Sequence, residues 1–494
     1  MRTHLILLPI LIPFSGALLA LLMRRWRRAQ AYGALGTMLA SLAVTLWLLR
    51  HVWQTGTPAV WQAGGWPAPF GITLVGDLLG LTFVLMSQLV LVMGVLYALG
   101  SVDEASRYPT FYPLFLTLAT GLTGAMLTGD LFNLFVFAEL LVISGTILTA
   151  ISDDRYGPEA AYKYFMISLL AAAFLLLAVG SLYVGYGTLN MADLAQRVAA
   201  DGSAPLLPIA IGLLTAAFMV KSAVFPMHFW QPDFHTVSPT AVSAMLSSVV
   251  VKLGVYGFLR MTTLLFVAQA AGVRALLVTL GVAGVVYGGL AALRTDNAKR
   301  MLAYSTLGQV GFILVGIGWG TPLALAAALV FAFNHSLIKA GMLMLAGAVA
   351  SRAPVKSAAF SVVTGVGQRT PLAGVLFFVG GLALAGIPPT NGFVSKLLLF
   401  RGGIAAAAYF PLALIGVAGI LTLVYTIRAF QQIWWQKPVA ELPTKQGDRL
   451  LAPALLITLS LALGIWADPL VRLATDTSHW LGNPAAYIQA VLGG

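Results

Sequence analysis

The sequence contains no cysteine, which excludes thiolate metal sites, iron–sulfur clusters and disulfides. Charge is also scarce. Only 9% of the 494 residues are charged, and 16 acidic residues stand against 28 lysines and arginines. A soluble domain carries about 25% charged residues. No Walker loop, HExxH, GxSxG or strand-borne dinucleotide fingerprint is present. The chain therefore shows no means of hydrolysing ATP or holding a redox cofactor, and no cofactor or metal is expected. Energy must come from an ion gradient or from a partner.

What the sequence has is apolar length. Hydrophobic residues make up 59% of it, arranged in repeated runs of about 20, the length that crosses a bilayer as a helix. The expected fold is an all-α polytopic membrane protein. The net charge of +12 does not indicate nucleic acid, because the basic residues sit in short loops between apolar runs. The stretch Leu5–Met23 is too long for a signal-peptide core and is followed by Arg24, Arg25, Arg27 and Arg28. It reads as a retained first helix that starts outside.

About fourteen transmembrane helices are expected, over 4–23, 31–50, 77–100, 110–128, 130–150, 161–185, 205–229 (broken), 239–262, 273–293, 301–318, 322–350, 371–409 (broken), 411–433 and 450–467. With both termini outside, the inner loops hold sixteen lysines and arginines, from Arg24 to Lys445 and Arg449. The outer segments hold six: Arg2, Arg50, Arg197, Arg274, Arg401 and Arg472. The positive-inside bias selects that orientation. Trp53, Trp61 and Trp66 fit an interfacial belt in the first outer loop.

Two segments are broken by proline, which removes a backbone hydrogen bond and clashes with the preceding turn. The seventh carries Lys221 just before Pro226. The twelfth carries Pro388 and Pro389 in GIPPTNGFVSK, with Lys396 beyond. Broken helices at membrane depth are tolerated where they face protein or water, and in transporters they mark ion sites. The two breaks lie five segments apart, an odd number, so the units around them would have opposite topology. This predicts two inverted five-helix repeats at 110–262 and 263–433, preceded by helices one to three at 1–109 and followed by helix fourteen and a tail at 434–494.

Intramembrane ionisable groups are costly and mark function. Glu139 lies near the middle of the fifth segment, and Lys221 is its natural partner. Lys252 lies inside the eighth segment, with Arg260 eight residues on and expected at the interface. His335 and Lys339 are four apart in the eleventh, on one helix face. Glu139, Lys221, Lys252, His335, Lys339 and Lys396 could form a proton relay across the membrane middle. His228 and His235, just past the first break, could admit protons or could merely lie at the interface. Asp130 reads as the N-cap of the fifth helix, and the GxxxG formed by Gly284 and Gly288 reads as packing.

These motifs carry a resemblance: the glutamate in GDLFNLFVFAELLVISG, the lysine before the first break, DNAKRMLAYSTLGQVGF, NHSLIKAGML and GIPPTNGFVSK. The chain resembles the antiporter-like subunits shared by respiratory complex I, membrane-bound hydrogenases and Mrp-type cation/proton antiporters. Within that family it is most similar to the D-type Mrp branch, with the N-type complex I branch the alternative, since both carry lysine where Lys396 stands. The resemblance implies an ion pair at Glu139 and Lys221, a central relay through Lys252, His335 and Lys339, and a terminal lysine at Lys396. It also implies a subunit that is not an enzyme, exchanging protons against Na⁺ or K⁺ in a bacterial inner membrane, with A-, B-, C-, E-, F- and G-type subunits as partners. A scaffold that only docks other subunits is the remaining alternative.

Overall fold

A computed structural model describes residues 3–152, 154–438 and 446–493. Arg2 and Lys445, counted above among the loop charges, lie outside the described residues. Every one of the fourteen apolar segments is helical over most of its length. In order they are α1 (His4–Leu22), α2 (Arg27–Thr55), α3 (Leu78–Leu99), α4 (Phe111–Leu127), α5 (Leu131–Ala150) and α6 (Gly157–Tyr186). A short helix α7 (Met191–Ala200) precedes the broken pair α8 (Leu207–Lys221) and α9 (Trp230–Val237). There follow α10 (Thr240–Leu265), α11 (Ala270–Arg294), α12 (Ala298–Trp319) and α13 (Pro322–Ala350). The second broken pair is α14 (Pro371–Ala385) and α15 (Asn391–Ala405). The chain closes with α16 (Tyr409–Trp435), α17 (Leu451–Ile465), α18 (Asp468–Leu481) and α19 (Pro484–Leu492).

Among the described residues, ten of these helices are long and apolar enough to cross a membrane. The pair α17 and α18, bent by 77°, would make an eleventh. α4, α8 and α14 are apolar but shorter.

The interior is built on α3, α10, α12 and α13, which are buried almost throughout. The outer helices explain the surrounding solvent. α6 turns Leu169, Leu170, Leu176, Leu177 and Val184 outward, where a water-soluble protein would carry polar residues. A helix satisfies its backbone bonds within itself, as a bilayer requires. The protein is thus a membrane-embedded polytopic helix bundle. α11 and α12 pack closely: a Cβ on Gly288 would come 2.7 Å from the Gly308 nitrogen and 2.8 Å from the Tyr304 carbonyl. At Gly284 the nearest atom would be 3.6 Å away, so Gly288 is the member of the expected GxxxG that the close approach requires.

Three features depart from the sequence expectation. Residues 59–76 form an antiparallel hairpin, β1 (Ala59–Gln62) with β2 (Thr73–Gly76). Two further helices, α18 and α19, follow the last apolar segment and pack beside the end of α2 and the hairpin. There the Trp53 indole donates to Asp476 at 2.7 Å, and Gln62 donates to the Val491 carbonyl. His4 and Val491 line one cavity with the hairpin, so the two ends of the described chain share one side of the bundle. Arg260, expected at the interface, is buried within the protein: it is 3% exposed and forms a two-pronged pair with the N-cap Asp77 of α3, both contacts at 2.7 Å. A carboxylate distant in sequence, not water, solvates its charge.

Candidate functional site

The first break assembles an ion pair. Asp130 caps α5, accepting from the Asn133 N–H at 2.8 Å, and so fixes where the helix begins. Glu139 follows near the middle of α5. Lys221 is the last residue of α8, and its Nζ donates to Glu139 at 3.1 Å. Beyond it Ala223 takes a left-handed conformation (φ 51°) and Pro226 prevents helix from resuming at once. α10 lies directly against this break. A Cβ on Gly254 would fall 2.0 Å from Ser222 Oγ and 2.5 Å from the Phe218 carbonyl. That approach brings Lys252 into the bundle beside the broken end.

Lys252 and His335 make the second contact, Nζ to Nδ1 at 2.6 Å, with neither residue more than 2% exposed. One turn on, Lys339 donates to Ser305 Oγ at 2.7 Å and to the Leu302 carbonyl at 3.1 Å. Ser305 also accepts from the Tyr425 hydroxyl at 2.7 Å, so α16 joins α12 and α13 at this point. Composition alone carries no signal for Tyr425. Ser305 lies within a motif singled out from the sequence, but as a hydroxyl among many. The described residues show no direct hydrogen bond between the Glu139–Lys221 pair, the Lys252–His335 pair and Lys339. Proton passage between them needs water or side-chain motion.

Lys396 sits on α15, its ammonium donating to the Ala385 carbonyl at 2.7 Å and lying 5.2 Å over the Phe312 ring. Ala385 is the last residue of α14. A helix C-terminus has unpaired carbonyls and the negative end of the dipole, and Pro388 and Pro389 leave no continuing helix to satisfy them. Among the described residues, the second break thus provides the lysine with a carbonyl acceptor and no carboxylate.

His228 and His235 are both buried within the protein, at 7% and 0% exposure. His228 lies in the break, with its ring 5.7 Å from Phe225 and 4.9 Å from Tyr287. His235 is on α9, and neither of its ring nitrogens has a hydrogen-bond partner among the described residues. Lys299 donates to the Ser238 carbonyl at 3.3 Å. It lines an adjacent polar cavity of about 310 Å³ with Asp103, Asp154, Asn297 and Lys356. By sequence Lys299 counts among the loop charges, yet it is 8% exposed.

The profile of the NADH:quinone oxidoreductase/Mrp antiporter transmembrane family matches residues 128–422. The chain belongs to this family. It is 32% identical to the D-type subunit of the Na⁺/H⁺ antiporter of Bacillus subtilis, covering 99% of both chains. It is 35% identical to the N-type subunit of the NADH-quinone oxidoreductase of Desulforudis audaxviator, covering 94% of this chain and 95% of that one. Among solved structures, it superposes on a chain of the archaeal membrane-bound sulfane sulfur reductase with a TM-score of 0.91 at 30% identity. That match covers 99% of this chain and 100% of the other. The Mrp complex of Dietzia gives 0.90 at 27% identity, with 100% of both chains covered.

The family match runs from just before the α5 cap into α16 and so contains Glu139, Lys221, Lys252, His335, Lys339 and Lys396. One further feature concerns Glu139. Phe132, Val136, Ile143 and Ile147 are the exposed residues of α5, and Glu139 falls on the same helical face. Its side chain is 21% exposed. Lipid does not solvate a carboxylate on an outward apolar face, and among the described residues Lys221 is the group that meets it.

Proposed function

We propose that the chain is the proton-conducting, D-type subunit of a multisubunit Na⁺(K⁺)/H⁺ antiporter of a bacterial inner membrane, a transporter subunit and not an enzyme. The single observation that carries this reading is full-length likeness to D-type antiporter subunits in a chain whose buried cations meet in contacts rather than scatter. Protons enter by the polar cavity at Lys299, pass His235 and reach the Lys252, His335 and Lys339 group. The Glu139–Lys221 pair forms and breaks as Lys221 changes protonation state, and Lys396 is the terminal group. His228, caged by aromatic rings, is a second way in. The outward face of α5 around Glu139 docks against a neighbouring subunit of the complex, which shields the carboxylate from lipid.

The reading includes fourteen spans, with α4, α8–α9, α14–α15 and α17 crossing beside the ten long helices. It includes inverted repeats at 110–262 and 263–433, between an N-terminal part at 1–109 and a C-terminal part at 434–494. It places both termini outside. Support comes from the loop charges, from a proline break ending in a lysine-bearing site in each repeat, and from the shared side of His4 and Val491. The 35% identity to an N-type subunit favours one rival, a proton-pumping subunit of a respiratory complex I.

Antiport in everted vesicles tests the function. Lys339→Ala and Lys396→Ala should each abolish Na⁺- or K⁺-driven proton movement while the complex still assembles. Near-normal antiport in both would leave a scaffold. Proton movement driven only by quinone reduction would favour the rival.

A further inference from the structure

We infer that the groove between α11 and α12 at the arginine-rich end of α11 binds the phosphate headgroup of an anionic phospholipid. The groove, about 560 Å³, is lined by Tyr287, Leu290, Ala291, Arg294, Arg300 and Tyr304 together with Thr295 and Asp296. Its charges are unequally committed. Asp296 is paired with Arg428 at 3.4 Å. Arg300 is paired with Asp233 at 2.9 Å but keeps 42% of its side chain exposed. The exposed Arg294 has no hydrogen-bond or ion-pair partner among the described residues. A guanidinium offers a planar fork that matches two phosphate oxygens at once.

The walls distinguish a lipid from a free anion. Leu290 and Tyr287 are 51% and 41% exposed on the outward face of α11, and that face continues as apolar helix towards the middle of the bundle. Acyl chains would lie along it while the headgroup meets the arginines. Basic pockets between helices on the inner side of a membrane take anionic headgroups on this principle, and loop charge assigns this end of α11 to the inner side. The site lies one ring away from His228, because Tyr287 and Tyr304 form both the groove wall and the aromatic surroundings of that histidine, at 4.9 Å and 6.4 Å. Bound lipid would fix these rings, so occupancy would influence the region of the first break. Only this last link rests on the proposed antiport function.

The test is lipid retention by the intact purified complex in native mass spectrometry, with dioleoylphosphatidylglycerol or dioleoylphosphatidylcholine added. The wild type should prefer phosphatidylglycerol. Arg294→Gln should reduce that preference on the order of tenfold, as expected for one charge-assisted hydrogen bond. Arg294→Gln combined with Arg300→Gln should abolish it, while Arg25→Gln, in a separate inner loop, should not change it. Since Arg294 is exposed and unpaired, its variant should fold and assemble. Equal preference in the Arg294→Gln complex, competition by inorganic phosphate as strong as by the lipid, or loss of a partner subunit from the variant would each overturn the proposal. The preference is measured without transport, so its absence would not touch the antiport reading, and failure of antiport would not touch the lipid site.

Discussion

Nζ of Lys252 and Nδ1 of His335 lie 2.6 Å apart in the middle of the bundle. In such a contact one nitrogen donates and the other accepts, so an ammonium cannot face an imidazolium there. The pair can hold at most one positive charge, and a proton delivered to either residue is shared with the other. No carboxylate hydrogen-bonds to either group among the described residues, which leaves that shared charge free to move on rather than trapped in a salt bridge.

His335→Gln separates hydrogen bonding from titration. Glutamine can still accept from Lys252, but it cannot take up a proton. Antiport measured by fluorescence dequenching in everted vesicles should fall on the order of a hundredfold, the scale at which a positioned proton-transfer group matters. Retention of most activity would show that His335 holds Lys252 in place and nothing more.

Orientation can be read directly, because a chain without cysteine carries no background in thiol labelling. Ser203 precedes α8, and Arg25 lies between α1 and α2; both are exposed. A membrane-impermeant maleimide applied to whole cells should label Ser203→Cys and should reach Arg25→Cys only after permeabilisation. The reverse pattern would invert the topology.

The segments and breaks were legible because the bilayer enforces simple rules: apolar runs must be helical, and a proline inside one must interrupt it. Glu139, Lys221, Lys252 and His335 stood out because each is costly in an apolar run, and the fold brings them together in two contacts. The pairing of Arg260 was missed for a complementary reason. Its partner Asp77 lies 183 residues earlier, just ahead of an apolar run, where a carboxylate looks like an ordinary cap. α18 and α19 were missed because they are short and follow the last long apolar run, where nothing signals a further span. The outward face of α5 was hidden because that helix is hydrophobic all round, so no polar stripe tells neighbour from core.

The Asp77–Arg260 pair yields a stability prediction. It is desolvated and fully bonded: Gly80 N–H and the Trp480 indole donate to Asp77, and Arg260 Nε donates to Tyr256. Removing one partner strands a buried charge, at a cost of about 3–5 kcal/mol. Asp77→Ala should therefore lower the thermal unfolding midpoint of the detergent-solubilised complex sharply. The double variant Asp77→Leu with Arg260→Met, apolar on both sides, should recover much of the loss. Arg472→Gln, at an exposed pair with Asp468, should do little. A double variant no better than the single would show that the bonds to α3 and α18 matter more than the charges.

The last prediction concerns Lys221 and Glu139, 3.1 Å apart at the first break. Two roles fit that geometry. As a structural clamp, the pair needs only a cation facing a carboxylate at the end of α8. As part of the relay, it needs a cation that can give up its proton. Arginine distinguishes them, since guanidinium keeps its proton at any accessible pH yet pairs with carboxylate at least as well as ammonium. Lys221→Arg should assemble normally and transport poorly. Lys221→Ala should lose both the titrating group and the contact. Glu139→Gln should retain a reduced activity with a shifted pH profile, because the titrating lysine remains but its counter-charge is gone. Antiport across a pH series, with assembly checked on native gels, reads all three variants. Near wild-type rates for Lys221→Arg would sink the relay role at this position and leave the pair as a clamp.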